Sequence, residues 1–387
     1  MKMTMKSKNT LRMTLRASIV SAMMLAFGSA HAQQMTDDDT HSPYILAVDE
    51  YCPAPGQFVN ELPEYSPGDD AAAMAAKCTG VIGGNKDQDR MISLGAWGGY
   101  VTFHFDHSIA NIPGRRDFAV FGNALKSKQF NVMGGSSEPG VIMVSKDVNH
   151  NGLPDDPWYE ISGSCDTDSA GKVVFDYSVT YTRADMSDIP WTDNQGGSGS
   201  VFRNSYHSQE YYPLWVNDNT LTFSGTRLPN NAVLMKRTVP VIGEVSEWVL
   251  MFFRCGYADN QPLDLDPAND DDRDNIDASS IDIAWAVDGN RQPVNLDFVD
   301  FVRVYTGLNQ TVGILGETST EVCGAEDLHL DESIAAITAA GIDGVSEAHE
   351  ATETARYTTG GTRINAPQRG LNIIRMSDGT VRKVLIP

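Results

Sequence analysis

From Tyr44 onward, apolar residues come in short runs separated by clusters of Gly, Pro, Asn and Asp. The clearest runs are Tyr100–Phe105 (YVTFHF), Phe118–Phe121, Val141–Val144, Val173–Tyr181, Thr220–Phe223, Trp248–Arg254, Ile281–Ala286 and Phe298–Thr306. Several alternate apolar and polar positions with period two, which marks strands with one buried face. Many short strands, Gly- and Pro-rich turns and little helical periodicity predict an all-β, jelly-roll-like β-sandwich over residues 44–330. One helix is expected over Asp69–Lys77 (DDAAAMAAK), with acids at its start and Lys at its end, as the helix dipole favours.

The two ends read differently. Residues 1–32 carry five basic residues (Lys2, Lys6, Lys8, Arg12, Arg16), then an apolar run and a small-x-small pattern ending at Ala32. That is the pattern of a secretory signal peptide. The polar residues 33–43 read as a disordered lead-in. Residues 331–365, rich in Ala, Glu, Thr and Ser, read as a helical or disordered linker. In the tail, 366–387, two apolar runs flank Ser377-Asp-Gly-Thr380, a hairpin signal. A lone hairpin is marginal in water, so the tail is expected to dock or to serve as an export address. No run after the signal approaches the roughly 20 apolar residues that a membrane helix needs.

Composition narrows the function. The 387 residues are 41% hydrophobic and 21% charged, enough for a sizeable core. Net charge is −22 and falls to −27 once the five basic residues of the signal are removed. Such a surface argues against nucleic-acid binding, which depends on Lys and Arg neutralising phosphate. Export permits disulfides, and Cys52–Cys78 is the expected pair by loop length, with the count of 5 leaving a cysteine over.

The densest chemistry lies in Asp147–Glu160 (DVNHNGLPDDPWYE). Asp147, Asn149 and Asn151 offer oxygens at alternate positions, Gly152 allows a sharp turn, and Asp155 and Asp156 return two carboxylates. Hard cations such as Ca²⁺ take all-oxygen shells of about six to eight ligands. The opening matches the first half of an EF-hand loop, but the twelfth position is Trp158 instead of a bidentate Glu. The expectation is a structural Ca²⁺ held by Asp147, Asn149, Asn151, Asp155 and Asp156. The alternative is a plain Asx/Gly turn between two strands. A second acidic run, Asp264 to Asp277, reads first as a solvated loop, while Asp259 and Asn260 are placed to reach an ion. Aromatics gather at Trp191, Tyr206, Tyr211, Tyr212 and Trp215. Trp191, Tyr211, Tyr212 and Trp215 are the expected ligand-facing set, since Trp and Tyr stack on sugar rings and other flat ligands. Catalytic patterns are thin: paired-His metal spacing and a G-x-S-x-G elbow are both missing. Glu138, Glu160 and Glu210 are the acids that a glycosidase pair would draw on.

Several stretches together resemble a group of Bacteroidetes cell-surface proteins of the PKD-like type. They are PAPGQFVN (53–60), SLGAWGGYVTFHFDHSIANIPG (93–114), SSEPGVIMVSKDVNHNGLPDDPWYEISGS (136–164), residues 198–212, GYADNQP (256–262) and GETSTEVCGAEDLHL (316–330). The resemblance implies a secreted, surface-displayed β domain without an established catalytic activity. It also implies a place beside outer-membrane uptake systems, including those for corrinoids. The tail is similar to a type IX secretion sorting domain through Gly370, Ile373, Ile374, Arg375, Gly379, Lys383, Val384 and Leu385. The function expected is binding of a small nutrient molecule or a glycan at the cell surface. A glycan-active hydrolase and a structural or adhesive surface protein are the alternatives.

Overall fold

The computed structural model describes residues 41–85, 89–169, 172–262 and 279–339, and 353–358, 363–364, 366, 368–376 and 381–386 of the tail. The chain is an all-β sandwich of antiparallel sheets. Its axis is the strand Phe298–Thr306 (FVDFVRVYT), in which only Asp300 and Arg303 are less than fully buried. A strand covered on both faces reads as a nearly continuous apolar run, and this one does. It pairs with Tyr100–Ala110 on one side, where Val302 faces Phe103, and with Gly140–Ser145 on the other, where Val302 faces Val144. Ala47–Cys52 adds to the first side, and Trp158–Ile161 followed by Ala286–Val287 to the second.

Strand side chains alternate between faces. Val101, Phe103, Ile142, Val144, Val302 and Val304 therefore join one core, which also takes Met74, Cys78 and Ile82 from the helix. The helix runs Ala71–Ile82, with the Asp70 carboxylate accepting from Ala73 N at 2.9 Å. It extends past the expected Lys77 because Cys78 and Ile82 continue the buried stripe that Met74 begins, at the i, i+4, i+8 spacing of one helix face.

The alternate residues, Tyr100 and Tyr305, face a second sheet in which Ser198–Val201, Ile189–Asp193, Val174–Thr182 and Thr220–Arg227 follow one another. Tyr177, Val179, Tyr181 and Phe223 turn inward there and pack on Trp97, Tyr211 and Tyr212. Thr226 N donates to the Tyr305 hydroxyl at 2.8 Å, which ties the two layers. A long hairpin, Ala232–Val239 with Gly243–Met251, carries a third small sheet with Gly134–Gly135.

The C-terminal part differs from expectation. Within 331–365, expected as a linker, the helix Leu330–Ala339 lies against Tyr100–Ala110, where buried Ser333 Oγ accepts from Ala110 N at 3.1 Å. The expected tail hairpin forms, Gly370–Met376 with Val381–Ile386, but Glu353–Thr358 and Arg363–Ile364 extend it to four strands. A marginal two-stranded ribbon thereby gains neighbours. The signal segment 1–32, most of the 33–43 lead-in, the Asp264–Asp277 run and the Ser377–Thr380 turn lie outside the described residues. Cys52 is an exposed thiol and Cys78 one buried in the helix–sheet core, so the expected Cys52–Cys78 bridge is not made. No helix among the described residues is long and apolar enough to cross a membrane.

Phe103 is fully buried in the core under the central strand. Phe103→Ala should cost about 3–5 kcal/mol through lost burial and the cavity left behind. The check is a lowered urea midpoint with an unchanged slope.

Candidate functional site

The loop at 147–156 joins two neighbouring strands, with Met143 opposite Glu160. Its five oxygen-bearing side chains do come together, but on one another. Asp147 accepts from Asn151 N at 3.2 Å and Gly152 N at 2.8 Å. Asp155 Oδ1 accepts from the amides of Asn149 at 3.1 Å and Asn151 at 3.2 Å, and Asp156 from Val148 N at 2.9 Å. These are the bonds of a self-capped Asx turn. Trp158 is spent on its own surroundings, with Arg303 4.2 Å above its ring. Asp147, Asp155 and Asp156 do not form one of the carboxylate groups close enough to share an ion.

The aromatic expectation needs correction. Tyr211 and Tyr212 are completely buried and Trp215 is nearly so. Asn60 pins their segment, donating to the carbonyls of Glu210 at 2.7 Å and Tyr212 at 3.1 Å and accepting from Leu214 N at 3.0 Å. Trp215 stacks on Tyr51 with ring centres 5.7 Å apart. Trp191 is half-buried against the same aromatic core. These four residues pack into the layers, Trp191 only in part, while Tyr206 is 78% exposed.

The open surface lies elsewhere. A cavity of about 430 Å³ has Phe58, Tyr206 and His207 on its wall and Gln57, Glu138, Glu317, Ser319 and Glu321 deeper in. Phe58 and His207 meet edge to face at 4.6 Å. Gly135, Ser136, Ile314 and Leu315 also line a larger groove of about 1210 Å³, whose other side is Leu125, Met133, Leu234 and Trp248. Ile314, Leu125, Met133 and Leu315 are each more than half exposed. The two hollows share a wall and together make a cleft, apolar outside and acidic within.

The acidic end is assembled from distant segments. Glu138, Asp259 and Glu321 each place a carboxylate oxygen within 4.8 Å of the others. Asp259 accepts from Asn123 N at 2.8 Å, Ala124 N at 3.0 Å and Glu321 N at 3.0 Å, and Glu138 accepts from Ser319 N at 3.3 Å. Glu317 Oε1 accepts from Gln57 N at 2.5 Å. Glu317 Oε2, Glu321 Oε1 and Gln57 Oε1 are buried without any partner. Burial, then the charge of Glu321, push Glu138 and Asp259 well above the usual carboxylate range; burial pushes Glu321 to about 7, against hydrogen bonds that favour its charge, and Glu317 to about 8. Asn260, the other residue expected to reach an ion, is occupied: its amide bonds the Phe253 N and O, both at 2.8 Å.

Other titratable groups are paired off. His107 lies in a second close group with His41 and Asp106, but its two nitrogens bond Asp106 at 2.6 Å and Asp327 at 2.8 Å. Burial opposes its charge, yet the two carboxylates outweigh burial and raise its pKa. A ring with both nitrogens so occupied has no lone pair for a metal. The three candidate glycosidase acids have separate partners. Glu160 pairs with Arg291 at 2.5 Å, Glu210 caps Tyr211 N at 3.0 Å, and Glu138 belongs to the buried cluster.

Sequence reasoning missed Gln57, Glu317 and Glu321. A signal was present: in Glu317-Thr-Ser-Thr-Glu321, period two puts Glu317, Ser319 and Glu321 on one face of an extended segment. No protein-family model matches the chain, and no curated protein matches it.

Glu317 gives a pH prediction. An acid that holds its proton more tightly folded than unfolded favours the fold at low pH and opposes it as pH rises through the folded value. In EDTA, the denaturation midpoint should fall between pH 4.5 and about 8. Glu317→Gln should flatten that slope; equal slopes for variant and wild type would refute the assignment.

Proposed function

We propose that the protein is an exported, surface-displayed binding protein that takes a small nutrient molecule or a glycan into this cleft. The observation that carries the reading is the groove itself. Folded monomers rarely leave large apolar side chains gathered around one hollow unless something binds there. A hollow of about 1210 Å³ is wide by the standard of ordinary small-ligand pockets, which run to about 1,000 Å³. It suits a bulky ligand with an apolar body and polar edges, such as a corrinoid, with outer-membrane uptake machinery as the onward partner. The signal-like N-terminus and the sorting-like tail support display on the outer face of the outer membrane. Ca²⁺ enters this reading as a structural ion of the 147–156 loop. Its support is that Asn149 and Asn151 both reach Asp155, while Asp147 and Asp156 are held by backbone amides of the same turn.

A second reading, a glycan-active hydrolase, is favoured by Glu317, a carboxyl whose burial keeps it protonated near neutral pH inside a cavity, as a general acid requires.

Two measurements test the proposal. Mature protein is exposed to cyanocobalamin, haem, a glycan panel and medium extract, and retained molecules are identified by mass spectrometry. Wild type should retain a ligand that Trp248→Ala and Ile314→Asp release; equal retention, or none, refutes the cleft. Turnover of any glycan that Glu317→Gln abolishes replaces the binder with the hydrolase. For the loop, Ca²⁺ should raise the melting temperature of wild type more than that of Asp147→Asn.

A further inference from the structure

We propose that Glu138, Asp259 and Glu321 bind a hard divalent cation, Ca²⁺ by the chemistry of the donor set, at the inner end of the cleft. The spacing fits: oxygens around a Ca²⁺ at about 2.3–2.6 Å lie within roughly 5 Å of one another, and these lie within 4.8 Å. The donors are all oxygen, which selects hard cations over the softer metals that seek His or Cys.

Two further observations point to a ligand. Glu321 Oε1 is buried with no hydrogen-bond partner, and Glu317 Oε2 and Gln57 Oε1, which line the same cavity, are likewise unpartnered. A buried acceptor left bare loses its water and gains nothing in return. Among the described residues, the chief influences on the four acids are burial, one another and hydrogen-bond donors, with no basic side chain among them. The backbone is also shaped to the cluster. Asp259 sits in the left-handed region at φ 48°, and a Cβ on neighbouring Gly122 would stand 2.3 Å from Asp259 Oδ1. Strain of this kind persists where the surroundings over-determine it and gathers at ligand clamps.

The cation would join segments 121 and 62 residues apart in sequence. The inference stands whether or not an organic ligand fills the groove.

The test uses the full mature chain carrying Asp147→Asn, which removes the loop's own claim on Ca²⁺, after stripping with EDTA. Titration calorimetry and elemental analysis should find one Ca²⁺ per chain and a raised melting temperature. Adding Glu321→Gln or Asp259→Asn should weaken binding by more than about tenfold. A chain that binds no Ca²⁺, Mg²⁺ or Mn²⁺ overturns the proposal, as does undiminished binding in both variants. Should the variants fail to fold, crystals of the EDTA-stripped wild type soaked in Mn²⁺ decide. An anomalous peak among the three carboxylates supports the site, and a peak confined to the 147–156 loop, or none, overturns it.

Discussion

The ladder of the strand Phe298–Thr306 is the interaction on which the rest depends. Its two neighbours bond to it along most of their length, and its two faces supply both cores. At its far end Thr306 pairs with Gly140, so the chain entering that neighbour is delivered beside it. Glu138 is two residues earlier, and Thr320 Oγ1 donates to its carbonyl at 2.8 Å. Thr306 Oγ1 in turn accepts from Thr320 N at 3.2 Å. Glu138 N donates to the Asp259 carbonyl at 3.0 Å. The acidic cluster is thus a consequence of where the central ladder stops, built on strand ends and the turns that leave them.

The molecule holds two kinds of acidic site, and they show how solvent decides the meaning of a carboxylate. In the 147–156 loop Asp155 is exposed and Asp147 and Asp156 are half-buried, all within reach of solvent and backbone amides, so their crowding costs little. At the cleft end, Glu138, Asp259 and Glu321 stand close together out of water with Glu317 nearby, and each must be neutralised by a proton or by a cation. Density of acids along the chain pointed to the first place; separation from solvent makes the second chemically demanding.

That contrast explains what was legible in the sequence. An alternating run marked Tyr100–Phe105, a nearly continuous apolar run marked Phe298–Thr306, the Ala-rich run marked the helix, and Asp-Gly marked the tail hairpin, because each is a local pattern with a local cause. The aromatic set was misplaced because Tyr and Trp serve cores and ligand faces alike. What decides between them is Asn60, about 150 residues away in sequence, which pulls Glu210–Leu214 into the interior. The residues 331–339 looked polar enough for a linker, yet Ser333 buries its hydroxyl against a strand end more than 200 residues earlier. The cleft was hidden for the same reason: its parts come from Gln57, Glu138, Glu317 and Glu321, and only the folded ladder brings them together.

The two ends of the cleft also differ in how firmly they are held. The floor is a network of short, buried bonds: Ser93 and Ser319 share a hydroxyl contact at 2.7 Å, and Gly95 N donates to Ser319 Oγ at 3.1 Å. Gly95 has φ 70°, and a Cβ there would stand 1.9 Å from the Ala54 carbonyl, so the backbone packs against itself beneath the acids. The rim is made of exposed side chains, Tyr206, Ile314 and Leu315, whose backbone is tied by Asn204 and Gln57 while the side chains face solvent. Polar recognition loses much of its strength when its groups must be ordered on binding, whereas apolar contact tolerates adjustment. On the proposed binding role, an acidic floor under an exposed apolar rim would divide the work accordingly: the floor would set the chemistry of what is held, and the rim its size.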